Sequence, residues 1–198
     1  MKNIILCIAI AAIMLAACNS NKSPESQNRS KATEANSQTD NETVTTSSVP
    51  DAKNTVSIKE IVSTYLQLKN AFTKDNSSDA AKAGIKLEAA FNNFDKTALT
   101  ATQKKTFEEV EDDAREHAEH IGKNGGNIVH QREHFELLSK DIYDLVKTFG
   151  SGQVLYKVFC QMYNNGKGAF WLSETKEIKN PYLGKVMPAC GTIKEELK

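Results

Sequence analysis

The sequence predicts a mainly α protein: an up-down four-helix bundle with a small C-terminal β-hairpin or loop segment packed on it. Apolar residues recur at three- and four-residue spacing through successive stretches between Ile58 and Phe149. The stretches are joined by short connections rich in Asn, Asp and Gly, which favours antiparallel neighbours. After Gly150 the spacing changes to alternation, the period of a strand.

The elements follow in chain order. Ser57-Ile58-Lys59-Glu60 has the form of a capping box. Ile58, Ile61, Val62, Tyr65, Leu66 and Phe72 then share a helical face, which stops near Asp75-Asn76-Ser77. Ser78 or Asp79 caps a second helix, with Ala83, Leu87, Ala90, Phe91 and Phe94 inward; Gly84 inside it either costs about 1 kcal/mol against alanine or permits close helix approach. Thr100-Ala101-Thr102-Gln103 is a second capping box, opening a helix that directs Phe107, Val110, Ala114, His117 and Ile121 inward. Gly122 and Gly125-Gly126 end it. Ile128, Phe135, Leu138, Ile142, Leu145 and Phe149 mark the fourth helix, closed by Gly150. Beyond it, Val154 to Met162 alternates as a strand and Asn164-Asn165-Gly166 reads as a turn. Residues 168–172 return as a second strand, and the polar tail beyond Gly191 reads as a short helix.

Upstream of the bundle the chain has other business. Residues 1–17 read as a lipoprotein signal peptide, with an apolar run from Ile4 to Ala12 and small residues before Cys18. Leu15-Ala16-Ala17-Cys18 resembles a bacterial lipobox, in which Cys18 takes the lipid and becomes the first mature residue. Asn19, in place of aspartate, points to the periplasmic side of the outer membrane. Residues 18–55 form a lipid-anchored tether, polar and free of aromatics, which cannot bury enough apolar surface to fold. Residues 56–198 are one domain's worth of chain. With 25 basic and 25 acidic residues interspersed, no basic block suggests nucleic acid.

Two groups of residues carry candidate chemistry. Cys160, Met162, Met187 and Cys190 offer two thiols and two thioethers, a donor set that favours Cu(I). The same two cysteines, in an oxidising compartment, suit a disulfide instead. A loop of this length would then contribute about 3.5 kcal/mol. The two states exclude each other. The four histidines fall into two pairs at helical spacing, His117 with His120 and His130 with His134. His117 and His120 are candidate supplementary metal ligands, whereas His130 and His134 read as solvated face residues. No nucleophile elbow, phosphate loop, Cys-x-x-Cys pair or His-Glu-x-x-His is present, so no enzyme is expected.

Several motifs point one way together. They are Tyr156, Cys160-Gln161-Met162, Gly168-Ala169-Phe170-Trp171-Leu172-Ser173, Asn180-Pro181-Tyr182-Leu183-Gly184 and Met187-Pro188-Ala189-Cys190-Gly191, with His117 to Ile121 and Gln131 to Ser139 upstream. Over residues 57–196 the chain resembles the Gram-negative periplasmic domain of unknown function family 3347. That domain stands alone on lipoproteins and is also fused to CusB-like copper efflux adaptors. The resemblance implies a copper-linked periplasmic role as metallochaperone, buffer or efflux accessory, with an efflux adaptor as possible partner. Gln161 departs from the family's proline and leaves a looser connection between the two sulfurs. The other reading is a disulfide-stapled interaction module of an envelope or efflux complex, without metal.

Overall fold

The computed structural model describes residues 57–198; the signal segment, Cys18 and the rest of the tether lie outside them. Four helices pack in sequence: α1 (Lys59–Phe72), α2 (Ser77–Asn92), α3 (Ala101–Lys123) and α4 (Ile128–Phe149). A three-stranded antiparallel sheet follows, built from β1 (Leu155–Cys160), β2 (Ala169–Ser173) and β3 (Thr192–Leu197) in the order β2-β1-β3. The predicted mainly α bundle with a small β segment is the fold observed, with one strand more than a hairpin supplies.

The helix ends show where local chemistry decides. Thr100 and Gln103 form the expected reciprocal capping box at α3. At α1 the expected box does not form: Ile58 is the cap residue, and Ser57 Oγ accepts only from Lys59 N at 3.2 Å. The α2 cap is Asn76, whose side chain accepts from Asp79 N, rather than Ser78 or Asp79. Asn127 caps α4 in the same way, accepting from His130 N. An asparagine suits these positions because its side-chain oxygen reaches the free amides of the first turn.

Tyr65, Phe72, Leu87, Phe91, Phe107, Ala114, Ile121, Phe135, Leu138, Ile142 and Leu145 are buried as the periodicity predicts. Phe94, Ile128 and Phe149 are only partly buried. His117 is also half-buried, and the neighbouring Ala118 takes the fully buried place on α3. A small side chain is needed there, because α2 and α3 touch through glycines. A Cβ on Gly84 would come within 2.8 Å of Ala118 O and of Gly122 N, both backbone atoms of α3. Gly84→Ala is therefore expected to destabilise by about 1–3 kcal/mol, because overpacking outweighs the gain in helix propensity. Urea unfolding followed by helical circular dichroism checks this; a gain in stability would show that the two helices can separate at no cost.

The sheet covers α4 and α1 through β2. Tyr65 joins all three elements: its hydroxyl lies 2.9 Å from Ser139 Oγ on α4 and accepts from Leu172 N at 3.1 Å. Strand β1 departs from simple alternation. A register irregularity between Lys157 and Val158 against β3 buries Leu155, Val158 and Cys160. The strand ends at Cys160, so Met162 leaves the sheet and stands 53% exposed. The polar tail read as a helix is β3, paired to β1 with Phe159 opposite Thr192. Glu195 on it accepts from Tyr143 and Lys147 of α4, so its polar side chains are anchored to the bundle.

Candidate metal centre

The connection between α3 and α4 is short, and it folds the two helices back on each other. His117 stands seven residues before Asn124 and His134 seven after Asn127; His120 and His130 stand closer to the turn on either side. An antiparallel hairpin places residues equidistant from its turn side by side. All four imidazoles accordingly meet on one seam, at the end of the bundle next to Gly125-Gly126.

His134 is the hub. Its ring centroid lies 4.4 Å from that of His120, 4.6 Å from His130 and 5.3 Å from His117. One nitrogen each from His120, His130 and His134 lies within 4.8 Å of the others. Two imidazole nitrogens on one tetrahedral ion stand about 3.4 Å apart, given metal–nitrogen bonds near 2.0–2.1 Å. Modest side-chain rotations close that difference, since all three rings are only partly buried.

The outer contacts leave the ligand atoms free. His130 Nδ1 lies 3.3 Å from Glu133 Oε2, which leaves its Nε2 for an ion. His134 Nδ1 lies 3.1 Å from His117 Nδ1, which likewise leaves Nε2. Glu116 sits 3.7 Å from His120 Nε2. Burial, followed by the adjacent His120, His117 and His130, pushes the His134 pKa down to about 4. Burial also holds His117 below the ordinary histidine range. His134 is then neutral at physiological pH, the form that binds metal.

Further along the seam, Asp141 of α4 is held at about 7, by burial first and then by Asp113 and Asp144. Its Oδ2 has no hydrogen-bond partner among the described residues. An acid with a raised native pKa keeps its proton in the fold, so its favourable contribution is present at low pH. That contribution is lost as pH rises through about 7. Asp141→Asn is therefore expected to raise the melting temperature at pH 8 by a few degrees and to change little near pH 3. Equal effects at both pH values would mean that the carboxyl ionises freely in the fold.

The sulfur residues take a different arrangement. Cys160 and Cys190 are joined in a disulfide, with their Cα atoms 5.6 Å apart. Cys160 is fully buried; Met187 stands 39% exposed beside a 3-10 turn, Gly184–Val186, and Met162 is exposed. Disulfide sulfurs are not thiolate donors, so in this state the four-sulfur set lacks two of its members. Asn180-Pro181-Tyr182 is turn chemistry: Asn180 Oδ1 accepts from Tyr182 N at 2.8 Å and Leu183 N at 2.9 Å. Its Nδ2 donates to Cys190 O at 2.7 Å. Arg132 reaches across to donate to Pro181 O, Phe72 O and Asp75 Oδ1, locking the tail onto α1 and α4.

Of the sequence candidates, then, His120 belongs to the metal-competent group, His117 stands beside it, and His130 and His134 join it. The last two read as solvated surface when each helix is taken alone. The signal that could have found them is their spacing about the Gly125-Gly126 turn.

Residues 61–154 match the family model described as protein of unknown function, DUF3347, the family that the sequence motifs resemble. The match runs from within α1 through α4, just under half of the chain, and stops before β1. The cysteine, methionine and tryptophan motifs of the tail fall outside it. No curated protein and no solved structure matches the chain.

Proposed function

We propose, for a chain whose four-helix half matches a family of unknown function, that it is a periplasmic copper-binding lipoprotein acting as a metallochaperone or buffer. The ion is held by His120, His130 and His134. The observation that carries this reading is the convergence of three imidazole nitrogens within 4.8 Å on one seam. Imidazole donors suit copper, zinc and nickel rather than magnesium or calcium, and among divalent ions copper binds most tightly. His130 also has a carboxylate on its second nitrogen, an outer contact common to metal-ligating histidines.

The lipobox ending at Cys18 supports a lipid anchor on the periplasmic side of the outer membrane. The Cys160–Cys190 disulfide suits the same oxidising compartment. An efflux adaptor is the proposed recipient of the ion, on the resemblance of the motifs. No catalytic step is part of the proposal; ligand exchange at a half-exposed site suffices. The joined cysteines favour one second reading, a disulfide-stapled interaction module without metal.

Titration of the oxidised, purified protein with Cu(II) against a chromogenic chelator separates the two readings. One copper per chain is expected, lost in His134→Ala and retained in Met162→Leu, which conserves volume. No competition at micromolar affinity would leave the interaction module. Loss of copper in Met162→Leu, with His134→Ala unchanged, would return the site to the sulfurs.

A further inference from the structure

His117 has a place in this site other than that of a fourth ligand. It is not among the three residues whose donor atoms converge, yet its Nδ1 lies 3.1 Å from His134 Nδ1. A neutral imidazole carries one N–H donor and one bare acceptor nitrogen. A hydrogen bond between two Nδ1 atoms therefore requires one to be protonated and the other bare. If His117 donates, His134 is bare at Nδ1, where the hydrogen bond occupies it, and protonated at Nε2, the nitrogen left for an ion, and it cannot ligate there. If His134 donates, its Nε2 is bare and free for an ion. Only the second arrangement is competent for metal.

We propose that His117 is the positioning residue of this site: its bare Nδ1 accepts the Nδ1–H of His134 and so presents His134 Nε2 to the ion. The inference rests on the metal-binding reading above. The device is the one by which a ligating histidine gives its second N–H to an outer acceptor, which sets both tautomer and ring orientation. Here the acceptor is an imidazole from the facing helix, so α3 sets the ligand atom on α4. His130 uses Glu133 of its own helix for the same purpose.

Three variants of the full chain test it, each checked by circular dichroism and read by Cu(II) affinity and by the number of coupled imidazoles in pulsed electron paramagnetic resonance. His117→Asn, whose side-chain oxygen replaces the Nδ1 acceptor, is expected to keep near wild-type affinity and the wild-type imidazole number. His117→Leu, with no acceptor, should lose affinity by about 10–100-fold, the usual cost of removing an outer partner. His120→Ala should lose one imidazole from the signal. Loss of an imidazole in His117→Asn would overturn the proposal by making His117 a ligand. Unchanged affinity in His117→Leu would overturn it by making the contact incidental. Absence of copper binding in the wild type would instead remove the metal reading itself, and this inference with it.

Discussion

Trp171→Ala is expected to destabilise the protein by about 3–5 kcal/mol, the range for deleting a fully buried large aromatic. Trp171 is completely buried on β2, opposite Val158 of β1. Its ring meets Tyr182 edge-on at 6.0 Å. The indole also packs over Gly191, where a Cβ would come within 2.9 Å of Trp171 Cη2, Val158 Cγ1 and Ile178 Cγ2. One side chain thus fastens the sheet, the Asn180 turn and the start of β3 together. Since domains retain only about 5–15 kcal/mol in total, the alanine variant should stand close to unfolding. Trp171→Phe should recover much of the loss: it keeps a ring and removes the Nε1–H, which has no partner among the described residues. Because Trp171 is the only tryptophan, unfolding is best followed by circular dichroism. A loss below about 1 kcal/mol would mean that the tail packs without its anchor.

Reducing the Cys160–Cys190 disulfide, or replacing both cysteines by alanine, is expected to cost about 3.5 kcal/mol in the chain-entropy account. The bond closes a loop across 30 positions of sequence and joins the end of β1 to the chain just before β3. Phe159 and Thr192 pair immediately beside it, so the crosslink holds the β1–β3 register at its open end. Urea unfolding with and without a dithiol reductant measures the effect. A difference under about 1 kcal/mol would show that Trp171 and the Asn180 turn hold the tail unaided. The disulfide and the histidine seam belong to different elements, so copper binding by the oxidised and double-alanine proteins should be alike while both remain folded.

Legibility differed by element for a physical reason. The core of α4 and the Thr100–Gln103 cap could be read directly, because both depend on contacts within four residues along one helix. The Ser57–Glu60 box satisfied the same pattern but is not made, since Ile58 is drawn into the core and takes the cap position. The charged residues of β3 show no inward face of their own, so the tail's sequence suggests a helix. Its ladder to β1 and the anchoring of Glu195 by α4 make it a strand. Alternation from Val154 to Met162 predicts a strand that runs on to Met162, but β1 ends at Cys160 before alternation can carry so far.

Four amphipathic helices, the change of period after Gly150 and the availability of two cysteines for one bond are written in the residues themselves. These follow from backbone periods and residue types that act locally. Packing in three dimensions brings Cys160 to Cys190, takes Ala118 rather than His117 into the core, and gathers four histidines on one seam. Such meetings depend on the length of a turn, on how closely glycines let two helices approach and on how each helix is rotated about its axis. Periodicity along a single element carries none of those quantities.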